Sequence, residues 1–246
     1  MVNLGAEHAN LDQKAYQILK EMIMERQLLP GDKIPQEKLA QDLGISRTPL
    51  ISALKYLEQE KLVEAIPRRG FFVRLFSKQE MVYIFELREV LEGLAARRAA
   101  LHIDDRQVNE LRRFFSGFRM DHEIDDYKRY SREDRRFHSF IIEVGAKEFL
   151  KSILQTTNII SFSYQVVSSE GLVRPPVETI GEHLAVIEAI CDHDSKAAER
   201  LMRRHFKKSA ALLRRLIEDE NETADFPAEP IRSAVIRSAE AERTQG

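Results

Sequence analysis

The chain has 246 residues, 43% of them hydrophobic and 32% charged, with a formal net charge of −2. That length suits two domains, and the composition is that of an ordinary soluble globular protein. The numbers exclude a globally basic nucleic-acid binder. A single cysteine, Cys191, excludes an intrachain disulfide, and no apolar run reaches the roughly 18 residues of a membrane helix.

The opening MVNLGAEHAN has neither the charged nor the apolar region of a signal peptide, so a cytoplasmic location is expected. A first helix is predicted over 11–27, where Ala15, Ile18, Leu19, Met22 and Ile23 form one apolar stripe. Asn10 or Asp12 is its expected cap. Pro30-Gly31 ends it. A short helix follows from Gln36 to Leu43 and stops at Gly44. Ser46 is placed to cap a third helix over 47–59, which has Pro49 in its first turn and buries Leu50, Ala53, Leu54 and Leu57. LVEAI and FFVRLF then read as two strands around the turn PRRG. Helix, helix, turn, helix, hairpin is the order of a winged helix-turn-helix.

The expected fold is mainly α, with this N-terminal head (1–76), an all-helical effector-binding bundle (77–220) and a loose C-terminal tail (221–246). Ser77 and Glu80 fit a capping box at the boundary. Six further helices are predicted, over 78–101, 104–121, 125–144, 147–169, 177–192 and 195–218. The tail mixes Asn, Thr, Pro, Ser and charge with little apolar pattern.

On the third helix, Thr48, Ser52, Lys55 and Gln59 lie opposite the buried leucines, with Arg47 and Ile51 flanking that outward face. Such a face enters the major groove with its N-terminal residues deepest. Arg47 suits bidentate contact to guanine. Lys38 on the preceding helix, and Arg68 and Arg69 beside Gly70 in the wing, suit phosphates or the minor groove. The partner so implied is a double-stranded DNA operator.

The run from GDKIPQEKLAQDLGISRTPL to PRRGFFV resembles the N-terminal domain of the GntR family of bacterial transcription regulators, over about residues 11–74. The family often carries Arg-Glu where this chain has Ile51-Ser52, and many members have arginine where Lys38 stands. The operator is therefore expected to depart from the common family half-site, with Ile51 reading a thymine methyl.

Behind the head lie Asp134 and His138, four apart on one helical face, and His183 and His205 on the apolar stripes of later helices. Leaving four such groups unpaired in a core would cost several kcal/mol. A divalent ion satisfies all of them, and imidazole with carboxylate suits Zn, Ni, Mn, Fe or Co. Arg88 sits mid-stripe on the helix from 78, where a guanidinium needs an anionic partner. Two partners are open: Glu92 at i+4, or a bound carboxylate.

LREVLEGLAARRAA, EDRRFHSFI, GEHLAVIEAI and LMRRHF resemble the FCD effector domain of the FadR subfamily, over about residues 77–218. The resemblance implies that Asp134, His138, His183 and His205 are the metal ligands. It also implies that a small organic acid completes the coordination, with Arg88 facing its cavity. Six effector helices look like the VanR-type branch.

The function expected is a metal-binding, ligand-responsive repressor, acting as a homodimer with no membrane association. One recognition helix reads too few base pairs alone. A second apolar face on the first effector helix (Val82, Leu87, Val90, Leu94) could meet a partner subunit. The rival is a metal-dependent hydrolase or oxygenase that uses the same three histidines and aspartate to activate water. Against it, no general base is evident in the sequence, and a DNA reader has no place in catalysis.

Overall fold

The structure is a computed structural model, and it describes residues 8–25, 27–119, 124, 126–146, 150–151, 153–154 and 173–223. Its elements are α1 (His8–Met24), α2 (Gln36–Asp42), α3 (Arg47–Gln59), β1 (Val63–Ile66) and β2 (Gly70–Val73), followed by the helices α4 (Lys78–His102), α5 (Asp105–Leu111), α6 (Tyr127–Gly145), α7 (Pro176–Cys191) and α8 (Ser195–Thr223). The fold is mainly helical, with one small antiparallel sheet, as expected.

In the head, α1 lays Ala15, Leu19 and Ile23 against the buried Leu50, Ala53, Leu54 and Leu57 of α3. The expected caps of α1 are overturned. No glycine or proline stands between His8 and Leu11, so the helix already runs from His8, and Asn10 and Asp12 lie inside it. Gly44, at φ +63°, ends α2. Ser46 stands extended at the head of α3, but its hydroxyl makes no capping bond.

The hairpin pairs Val63 with Val73 and Ile66 with Gly70. Its second strand was expected to reach Phe76. It stops at Val73 because Leu62, which closes the end of α3, is the last partner, taking Arg74 N at 2.9 Å. Lys33 forms an isolated bridge to Phe72 and so ties the wing to the loop before α2. Gly70 has φ +98°, and an added Cβ would lie 3.0 Å from Gln36 Nε2. Both facts favour glycine at the base of the turn.

Ser77 begins α4 with the expected capping box, Ser77 and Glu80 satisfying each other's backbone N–H. The helix packs along α8, α6 and α7, so its inner residues lie in the middle of the bundle. Gly145 of α6 allows the close crossing of α4. A Cβ there would sit 1.9 Å from Ala95 O.

Three expectations about the bundle are corrected. The helix predicted over 104–121 ends at Leu111, because Phe114 and Phe115 are both buried and Phe115 turns the chain at φ +61°. A residue in the left-handed region cannot continue a right-handed helix. Val82, expected on an outer face of α4, is buried, and the exposed apolar stripe is Tyr83, Leu87, Val90, Leu94 and Leu101. The last helix runs on to Thr223, so the first residues of the expected tail are helical. The helix predicted over 147–169 lies almost wholly outside the described residues, as does the tail from 224.

Candidate metal centre and nucleic-acid interface

The head presents a cleft of about 770 Å³ between α2, the start of α3 and the wing. Lys38, Arg47, Ile51, Arg68, Arg69 and Gly70 all line it. These six were singled out from three separate stretches of sequence, and the fold brings them to one surface. Thr48 and Lys55 are exposed and Ser52 half-buried, but they lie outside the cleft lining. Lys33, Gln36 and Gln41 join the surface without having been anticipated. Arg47 is tied to Glu37 of α2 by an ion pair, with both side chains well exposed. Arg69 stacks its guanidinium over Phe72, 5.3 Å from the ring centre.

In the bundle, α6 points Asp134 and His138 inward, α7 brings His183 and α8 brings His205. All four are buried. One ring nitrogen from each histidine lies within 4.8 Å of the other two. His183 Nε2 is 3.3 Å from His205 Nε2 and 3.6 Å from Asp134 Oδ1. His138 Nε2 is 3.9 Å from the same oxygen. Donors bound to one tetrahedral ion at about 2.1 Å stand about 3.4 Å apart, so these spacings fit a common ion. The donor set, three imidazoles and a carboxylate, fits as well.

Other buried groups hold the members of this cluster in turn. Tyr130, one turn before Asp134, donates its hydroxyl proton to Oδ1 at 3.1 Å and lies 2.6 Å from the Thr179 hydroxyl. Burial raises the Tyr130 hydroxyl well above its ordinary pKa, and the Asp134 carboxylate adds to that. His138 Nδ1 is 2.6 Å from Glu92 Oε2, and His205 Nδ1 is 2.9 Å from Glu182 Oε2. Among the described residues His183 Nδ1 has no hydrogen-bond partner, although it is buried. Its ring instead stacks on Phe115, centres 5.0 Å apart.

Burial drives the His183 pKa well below its ordinary value, and the facing His205 and His138 push it further down. His205 is lowered too, mainly by burial, with Glu182 opposing. Burial works to raise the Glu92 carboxyl, but Arg88 and His138 overcome it and hold the group at about 2.

Arg88 is buried, and its Nε donates to Glu92 Oε1 at 2.6 Å. Of the two partners open for it in the sequence, Glu92 is the one in place. Its guanidinium also lies 4.4 Å above the Phe206 ring. Arg88 borders a cavity of about 20 Å³ that reaches Asp134, His138 and His205. That is room for one water-sized group. A second buried guanidinium, Arg174, lines the same cavity and is paired with Glu182 and Glu178.

Glu182, Tyr130, Thr179 and Arg174 escaped the sequence reading, and Glu92 entered it only as a partner for Arg88. For two of them a signal existed: Tyr130 precedes Asp134 by four residues, and Thr179 precedes His183 by four, so each shares its partner's helical face.

The profile of bacterial regulatory proteins of the gntR family matches residues 11–73, and that of the FCD domain matches residues 83–208. The HTH-type transcriptional regulator YdhC of Bacillus subtilis (strain 168) is 27% identical over 215 residues, covering 84% of this chain and 92% of the relative. The HTH-type transcriptional repressor RspR of Escherichia coli (strain K12) is 23% identical over 219 residues, covering 86% and 92%. Among solved structures, a GntR regulator from Rhodococcus sp. RHA1 superposes with a TM-score of 0.68 at 18% identity, over 82% of this chain and 96% of that one. E. coli McbR/YncC gives a TM-score of 0.66 at 18% identity, over 84% and 98%. A winged reader, a helical body and relatives that are regulators rather than enzymes converge: the chain belongs to the GntR family of DNA-binding transcriptional regulators, with an FCD domain behind its DNA-binding head.

Proposed function

We propose that this regulator is a metal-dependent repressor that releases its operator when a small organic acid binds in the bundle. The observation that carries the reading is the convergence of Asp134, His138, His183 and His205 at metal-like spacings beside a cavity bordered by Arg88. The two working parts divide near residue 76. A divalent ion held by these four residues would supply a Lewis-acidic coordination position for a carboxylate oxygen. Arg88 is the cationic side chain placed to meet the other oxygen, in competition with Glu92.

The cavity holds less than an acid needs, so entry has to move side chains that now line it. Those side chains belong to α4, α6, α7 and α8 and to the segment before α7 that carries Val173 and Arg174. A shift there favours one arrangement of the paired heads while the operator favours another, and the two occupants oppose each other. A coupling of about 3 kcal/mol changes operator affinity more than a hundredfold.

Repression is favoured by the name of the relative RspR. A homodimer is favoured by the exposed stripe Tyr83, Leu87, Val90, Leu94 and Leu101. No described helix is long and apolar enough to cross a membrane. A DNA target calls for a cytoplasmic place. Operator-bound protein titrated with hydroxy acids, sugar acids and dicarboxylates tests the reading. One class should release the DNA when metal is present and fail after chelation. Release by none, or release indifferent to chelation, sinks it.

A further inference from the structure

We propose that Glu92 and Glu182 are positioning residues of the histidine centre: each accepts a hydrogen bond from the Nδ1–H of one histidine and turns that ring's Nε2 lone pair inward. The inference rests on the reading of the cluster as a metal centre, in which neither glutamate is a ligand.

A neutral imidazole carries one N–H, and the hydrogen bond at one nitrogen decides what the other presents. Glu92 on α4 reaches His138 Nδ1 at 2.6 Å. Glu182 on α7 reaches His205 Nδ1 at 2.9 Å. A carboxylate can only accept there, so the proton stays on Nδ1 and Nε2 faces the cluster as a free donor atom.

Each carboxylate is in turn fixed from behind by cations. Arg88 Nε holds the other oxygen of Glu92 at 2.6 Å. Arg174 Nη2 and Lys208 Nζ hold the other oxygen of Glu182 at 2.8 and 2.7 Å. The same chain of cation, carboxylate and imidazole thus occurs twice, built from different helices, and both end at the cluster. A pair serving stability alone has no need to end on an imidazole ring. His183 lacks such a chain, since its Nδ1 finds no hydrogen-bond partner among the described residues. Two of the three rings are therefore aimed before any ion arrives, and the third is steadied by Phe115.

The test has two arms. In metal-free protein, long-range proton–nitrogen spectra of the imidazoles should show His138 and His205 protonated at Nδ1. Cobalt(II) is then titrated against a competing chelator into wild type, Glu92→Gln, Glu182→Gln and Glu178→Gln. Glu178 is the control, because its carboxylate meets Arg174 at 3.1 Å rather than a histidine. Glu92→Gln and Glu182→Gln should each weaken cobalt binding about 10- to 100-fold and change the visible absorption of the bound ion, while the control stays close to wild type.

Should Glu92→Gln fail to fold, the Glu182 variant and the tautomers decide. Rings protonated at Nε2, or glutamine variants that bind cobalt as tightly as wild type with the same spectrum, overturn the proposal alone. Wild type that takes up no cobalt overturns the metal reading, and the proposal with it.

Discussion

The Nε2 atoms of His183 and His205 stand 3.3 Å apart on α7 and α8, in a region closed to solvent. Two imidazole lone pairs at that distance repel unless a proton or another cation lies between them. Burial and neighbouring imidazoles lower the His183 pKa, and burial lowers that of His205, so both rings are held neutral and the proton open to the gap is the single N–H of a neutral ring. A bound metal ion would replace that N–H and take a lone pair from each ring.

The same shifts predict a pH dependence. Both rings have folded pKa values below the unfolded value of about 6.5, so the unfolded chain binds more protons as pH falls past it. The stability contributed by the neutral rings is present above about pH 6.5 and lost as pH drops toward the folded values. Metal-free protein should melt at a lower temperature at about pH 5.5 than at about pH 7.5, and His183→Gln should narrow the difference. Glu92, held at about 2, stays ionised throughout that window. A melting temperature that is flat across it would contradict the assigned shifts.

Arg47 lies in the head cleft, paired with Glu37. Arg47→Ala should weaken operator binding by about 1–3 kcal/mol and relax the preference at one position per half-site. Glu37→Gln should act in the opposite direction, since it frees the guanidinium and removes a negative charge facing the phosphates. Gel-shift titrations of the two variants at one salt concentration check both. Wild-type affinity in Arg47→Ala would remove it from the interface.

Much of this is legible in the sequence, because periodicity reports faces. The stripe through Asp134 and His138, and those through His183 and His205, mark four polar groups on apolar faces by spacing, and it is the resemblance to the FCD domain that implies they share one centre. The six cleft residues follow from the order of the head's elements. What stays hidden depends on contacts between distant segments. Glu182 immediately precedes His183, yet its partner is His205 on the next helix, which no local spacing reveals. Phe115 breaks its helix because the core at Phe137 and His183 draws it in. Val82 looks like an outer residue because the stripe on α4 is broad, and only the crossing with α8 settles which edge is covered.

The crossing of α4 and α6 depends on Gly145. In Gly145→Ala the new methyl would meet Ala95 O at 1.9 Å, against backbone that cannot rotate away. The helices would have to part, at about 1–3 kcal/mol. Parting them also displaces His138 from Glu92, so metal affinity should fall along with the melting temperature. Unchanged thermal melting would show that the crossing is looser than described.

The stripe Tyr83, Leu87, Val90, Leu94 and Leu101 runs along the outer side of α4 at alternating spacings of three and four, interrupted only at Arg97. Such spacing suits a helix-to-helix contact between subunits. Leu87→Glu combined with Leu94→Glu should convert a dimer to monomer in sedimentation velocity at micromolar concentration and weaken operator binding with it. A double variant that sediments as wild type places the subunit contact elsewhere.

The central claim is that Asp134, His138, His183 and His205 hold a metal. Elemental analysis of untagged protein, grown with divalent metals supplied, tests it most directly. The account predicts about one divalent ion per subunit in wild type and a large loss in His183→Ala, with a lowered melting temperature, because binding energy at a buried site is folding energy. Equal metal content in the two proteins, or none in the wild type, would contradict it.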